Sequence, residues 1–206
     1  IAPNGTGNVV LNTDTLSIAF GNKSSIVGKF SFDGLPVFYE TFMDLKIFKS
    51  NLLANDLKQY FPPSSHSVVH KFTQVKANAS FVGFPLDFVA KGDFNTTLGN
   101  LKSDINLKLF EDGGKPIYEG NLKTEKFDIG KVLDYSDYIG KISMKGKIEG
   151  EGLTSNDINL KVDAHISKFV VLNYPYSNIK IDAKIRKNLF EGELDINDKN
   201  LKMYIA

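Results

Sequence analysis

His66 and His70 come nearest to metal chemistry: four residues apart, they could share one helix face and supply two of the four ligands a zinc ion takes. The segment follows Pro62-Pro63-Ser64-Ser65, lacks the glutamate of the His-Glu-x-x-His protease motif and offers no third ligand, so it reads as a polar loop. His165 alternates to the solvated side of its strand. The paired carboxylates Asp134/Asp137 and Glu149/Glu151 sit beside turns with no nucleophile near them in sequence, which reads as solvated loop charge rather than acid–base machinery. No phosphate loop, Gly-x-Ser-x-Gly elbow or EF-hand spacing occurs, and the absence of cysteine removes thiolate catalysis, thiolate metal sites and disulfides together. Asn-x-Ser/Thr sequons at Asn4, Asn22, Asn78 and Asn95 carry meaning only in a source that glycosylates them. The expectation is a protein without catalysis, metal or cofactor.

The elements around these residues are bounded first by composition. The chain has 206 residues and 22.9 kDa, with 25 Lys+Arg against 24 Asp+Glu and a net charge of +1, which argues against a strongly basic nucleic-acid binder. Hydrophobic residues at 42% and charged residues at 24% are globular usage, and the length can bury a core without staples. Residue one is Ile, no stretch reads as a signal peptide or transmembrane span, and the C-terminus stops in mid-strand pattern. The expectation is a segment of something longer.

Period two dominates the chain. Apolar residues alternate with Lys, Asp, Asn, Ser and Glu in run after run, the mark of strands with one apolar and one wet face. Asp33-Gly34, Gly83-Phe84-Pro85, Asp112-Gly113-Gly114, Asn188 and Asn197-Asp198 supply tight-turn chemistry between the runs, so the expected fold is an antiparallel meander. Two stretches break the alternation. Leu53, Leu57 and Tyr60 or Phe61 recur at helical spacing before Pro62-Pro63, predicting a short helix near 52–61; Asp128 as a cap predicts another near 129–135.

The chain also resembles itself. Tyr118-Glu119-Gly120-Asn121-Leu122 returns as Phe190-Glu191-Gly192-Glu193-Leu194 at an offset of 72, and Asp56-Leu57 returns as Asp128-Ile129 at the same offset. Asp104-Ile105-Asn106-Leu107-Lys108 recurs as Asp157-Ile158-Asn159-Leu160-Lys161 at an offset of 53. Units with one apolar face at a fixed period read as an elongated stack spanning residues 1–206; chance similarity among simple alternating sequences is the alternative.

These residues resemble the β-repeat region of the TamB family, within the AsmA-like group. The match lies in Phe190-Glu191-Gly192-Glu193-Leu194-Asp195-Ile196-Asn197-Asp198-Lys199-Asn200-Leu201 and in the strand followed by a short amphipathic helix at Phe127-Asp128-Ile129-Gly130-Lys131-Val132-Leu133. It extends from about Leu16 to the end through patterns of residue class. The resemblance implies an all-β, elongated antiparallel trough, taco-like in section, with an apolar inner groove and two short helices. It further implies a periplasmic location in an inner-membrane-anchored protein, transport of phospholipid towards the outer membrane, and a linked role in outer-membrane protein assembly with a BamA-like partner. The chain departs from the full pattern in lacking an N-terminal anchor and a recognisable partner-binding end.

In such a trough the groove candidates are Phe20, Phe30, Phe32, Leu45, Ile47, Phe81, Phe88, Phe94, Ile105, Leu107 and Leu122 in the first part. Ile142, Met144, Ile148, Ile158, Leu160, Val162, Ile166, Ile179, Ile181, Ile185, Phe190, Leu194 and Ile196 follow. Bulky phenylalanines early and aliphatic residues later predict a groove that widens in the second half. Ten methylenes of an acyl chain buried on this floor would gain roughly 8 kcal/mol, at about 0.8 kcal/mol each. Two rival readings stay open: a scaffold whose strand edges hand over outer-membrane β-strands, and an ordinary closed β-sandwich or lipid-binding clam, in which the same residues are core.

Overall fold

The computed structural model describes residues 9–154, 156–187 and 189–206. Its strands are β1 (Val9–Asn12), β2 (Leu16–Phe20), β3 (Ser24–Leu35), β4 (Phe42–Leu53), β5 (Gln74–Phe84), β6 (Asp87–Thr96) and β7 (Gly99–Lys108). They continue as β8 (Ile117–Asp128), β9 (Ile139–Glu151), β10 (Asn159–Val171), β11 (Tyr174–Arg186), β12 (Leu189–Asn197) and β13 (Lys202–Ile205). All belong to one antiparallel sheet in which each strand from β3 onward lies beside its sequence neighbours, while β1 and β2 share the outer side of β3. The sheet is open: β13 pairs with β12 alone, and no second sheet occurs among the described residues. The chain exposes 12540 Å², against about 9600 Å² for a compact monomer of its mass.

Short connections dictate this meander, since an antiparallel neighbour needs only a tight turn. Pro85 and Leu86 join β5 to β6, and Leu172 and Asn173 join β10 to β11 with φ of 47° and 65°, the left-handed pair that a two-residue hairpin turn requires. The expected turn at Asp33-Gly34 is not one. Both residues lie inside β3, which pairs with β4 as far as Asp33 opposite Phe42, and the chain reverses over residues 36–41. Asn188, the other expected turn residue, lies outside the described residues.

Three short helices sit in the connections at one margin of the sheet: α1 (Ala54–Leu57), α2 (His66–Lys71) and α3 (Ile129–Leu133). The first starts later than its spacing suggested because β4 runs through Leu53. Within β4 the Ser50 hydroxyl accepts a hydrogen bond from the Ala77 N–H at 2.8 Å. The third is capped as expected, with the Asp128 carboxylate accepting from the Lys131 N–H at 3.2 Å. Helix α2 replaces the expected polar loop. It is tied to α3 by Lys71, whose ammonium donates to the Val132 carbonyl and pairs with Asp134, both at 2.7 Å. Beside these helices Leu98, Phe127, Ile142, Ile166 and Ile179 form a buried cluster, with Phe72, Ile129 and Val132 packed against it. No helix among the described residues is long and apolar enough to cross a membrane.

Candidate functional site: the apolar face of the sheet

Register turns the alternation into continuous rows. In the first row, Phe32, Met43, Gly83, Phe88, Leu107, Tyr118, Gly150, Leu160, Ile185 and Phe190 stand opposite one another on ten successive strands from β3 to β12. Two residues along lies the second row: Phe30, Leu45, Phe81, Ala90, Ile105, Gly120, Ile148, Val162, Ala183 and Gly192. The third is Gly28, Ile47, Ala79, Gly92, Ser103, Leu122, Gly146, Ala164, Ile181, Leu194 and Ile205. The fourth, from β5 onward, is Ala77, Phe94, Leu101, Thr124, Met144, Ile166, Ile179, Ile196 and Met203. At about 4.8 Å per strand, ten strands carry an apolar face about 43 Å long.

No Lys, Arg, His, Asp or Glu stands in any of the four rows. Tyr118 is their one ionisable group. Burial pushes its phenol up to about 12, with Asp157 and Glu151 adding to the effect, so it is neutral at ordinary pH. Charges stand on the opposite face, where they pair across strands: Lys91 with Asp104 at 2.8 Å and Lys102 with Asp93 at 3.3 Å. A few large apolar side chains break that rule, among them Phe48, Val82, Val89 and Tyr204, all exposed.

Small residues occupy the two middle rows on nearly every strand. Gly120 shows what they permit: its φ is 150°, and a Cβ there would lie 2.1 Å from the Asp104 carbonyl oxygen on β7. Gly192 matches it as the fourth residue of its own strand, with φ 141° and a Cβ position 2.3 Å from the Asp182 carbonyl. Backbone approach this close is open to glycine alone. Leu57 closes α1 and Ile129 opens α3, so the second matched pair also falls on short helices, at opposite ends of them.

Burial along the face is uneven. Every residue of the four rows on β6 and β7 is half-buried, from Phe88 and Phe94 to Leu101, Ile105 and Leu107. On β10 and β11, Val162, Ala164, Ile166, Ile179 and Ala183 are only 3–6% exposed. Phe30 and Ile47, on β3 and β4, are covered as closely, at 3% and 5%, so burial does not divide the face into a first and a second half.

The candidate residues stand in these rows, with three exceptions. Phe20 lies on the edge strand β2 opposite Ser24, Ile158 lies just before β10, and Ile142 stands opposite Phe127 and Phe169 in the buried cluster beside the helices; Phe190 ends the first row at 40% exposure. Met43, Leu101, Tyr118 and Thr124 belong to the rows although they were not among the candidates; the alternation of Tyr118 with Gly120 and Leu122 was the available signal. Of the chemical candidates, the His66 ring lies 2.7 Å from the Phe61 carbonyl oxygen, and Glu149 stands exposed on the polar face. No group of three or more metal-ligating side chains forms among the described residues. Asn4 lies outside them.

Comparison with known proteins returned no matching family model, curated protein or solved structure.

Proposed function

We propose that the apolar face lines an open trough that holds phospholipid acyl chains, and that the chain is a non-catalytic segment of a periplasmic bridge moving lipid between inner and outer membranes. The observation that carries this reading is the run of four uncharged rows across successive strands of an open sheet. An apolar face that is half-open on β6–β7 and has no second sheet over it is a surface on which a ligand would lie. Glycines in the middle rows supply the bend along the trough's length, since glycine kinks are how sheets curve. An acyl chain sliding from one strand to the next exchanges one hydrocarbon contact for another, so the free-energy profile along the rows is shallow. The headgroup stays at the open margin in water.

Photocrosslinkers at Phe88 and Leu107, on the half-buried β6–β7 stretch, test this reading. Capture of phospholipid there, and not from Asn106 on the polar face, is the expected result; capture of protein alone would sink it. The second reading, a scaffold that pairs with outer-membrane strands and a BamA-like partner, is favoured by the outward edge of β12, where Leu189–Glu193 pair with β11 but not with β13.

A further inference from the structure

The register that builds the apolar rows also builds a row of basic side chains on the polar face, four lysines and one histidine. Lys102 on β7, Lys123 on β8, Lys145 on β9, His165 on β10 and Lys180 on β11 stand directly opposite one another, and all are exposed. Lys102 has Asp93 at 3.3 Å. Among the described residues no carboxylate pairs with Lys123, Lys145 or Lys180. Like charges opposite one another on adjacent strands are destabilising. Elsewhere on this face they stand opposite one another in shorter runs, as with Lys161 and Lys184 or Asp163 and Asp182, whereas the basic row crosses five strands before it ends at Asp93 and Asp195.

Its surroundings restrict what it could hold. On the side of the helices Lys126 and Lys168 extend the positive region beside Glu125. On the other side Asp104, Asn121, Lys147, Asp163 and Asp182 form the next row, an acidic margin broken by Lys147, which pairs with Glu119 at 2.9 Å. The cationic region is thus a band about 19 Å long, from four inter-strand spacings, and narrow across. A flat anionic membrane resting on the face would meet the acids as well as the lysines, whereas a thread-like polyanion meets only the band. Single-stranded nucleic acid is held by aromatic platforms, and no aromatic side chain stands in this row. The cations are lysines, compact hydrated charges without the fork of arginine, and suit dispersed carboxylates better than bidentate phosphate recognition.

We propose that this band binds an extended anionic glycan bearing one carboxylate per sugar, lying across β7–β11. The site is independent of the apolar face. A fluorescein-labelled oligogalacturonate, titrated with the whole chain and read by anisotropy, should bind at low salt and weaken as salt rises. The triple variant Lys123→Gln, Lys145→Gln, Lys180→Gln should bind about 100-fold more weakly, at about fivefold per lysine. The control Lys161→Gln, Lys184→Gln, on the same face beyond the acidic margin, should stay within about twofold. Unchanged circular dichroism shows that both variants fold. Absence of binding at low salt, or equal loss in both variants, overturns the proposal. So does a loss that appears only with phosphatidylglycerol vesicles or oligothymidylate.

Discussion

An arginine at position 105 separates a lipid path from a mere apolar surface. Ile105 stands half-buried in the second row between Ala90 and Gly120, whose small size leaves room for a longer side chain. Ile105→Arg removes part of one isoleucine's burial, about 1 to 2 kcal/mol, from a fold whose total stability is of the order of 5–15 kcal/mol. For an acyl chain crossing that point, a cation on an apolar strand face costs roughly 2–4 kcal/mol, which slows passage about 30- to 900-fold. Asn106→Arg places the same group on the next residue of the same strand, exposed on the polar face opposite Val89 and Glu119. Transfer of fluorescent phospholipid from donor to acceptor vesicles, with bound lipid counted by native mass spectrometry, should fall for Ile105→Arg and hold for Asn106→Arg. Folding is checked by circular dichroism and protease resistance. If both variants fold and both transfer lipid at the parent rate, the apolar rows are not the path.

Three further outcomes follow from the packing. Ile179→Ala, at a residue 3% exposed, should cost about 2–4 kcal/mol in urea unfolding, whereas Ile105→Ala should cost about 1 kcal/mol because its site is already partly open. Gly120→Ala and Gly192→Ala should each lower the melting temperature, by strain of about 1–3 kcal/mol, since a Cβ must clear a cross-strand carbonyl from a left-handed backbone. Gly140→Ala, which meets nothing nearer than the Val170 side chain at 3.3 Å, should be milder. The Asp198 carboxyl is held down at about 2 by the Ser177 hydroxyl, the Asn200 N–H and the Tyr174 hydroxyl. Its folded value lies below its unfolded one, so its contribution is present above about pH 4 and is lost as pH falls towards 2. Asp198→Asn should flatten thermal stability across that window, measured by scanning calorimetry.

The two faces were legible in the sequence because period two is a local signal: Leu160, Val162 and Ile166 declare their side of β10 without reference to any other strand. What alternation does not carry is register. Nothing near Lys123 in sequence announces that Lys102 and Lys145 stand opposite it, and the cationic row exists only once three strands are aligned. The same holds for Asp56, read as part of a helix. Its carboxylate accepts from the Asn22 and Lys23 N–H groups and, at 2.7 Å, from the Ser24 hydroxyl, and so fastens α1 to the β2–β3 turn thirty-two residues away. Asp33-Gly34 failed as a turn for the opposite reason, because long-range pairing of β3 with β4 overrode a local preference.

Alternation alone does not separate core from lipid floor, and burial along the rows shows both conditions. On β10 and β11 Val162, Ala164, Ile166, Ile179 and Ala183 are covered as a core would cover them. On β6 and β7 the same rows place Ala90 and Gly92 beside Ile105 and Ser103, and the flanking Phe88, Phe94, Leu101 and Leu107 stay half-exposed. One continuous, uncharged surface therefore carries both conditions in sequence: packed tightly enough on β10–β11 to stabilise an open sheet, and left accessible on β6–β7. A sheet with no covering layer needs the first to fold, and a lipid path needs the second to load. In the lipid path proposed above, β6–β7 is the stretch left accessible for acyl chains to load.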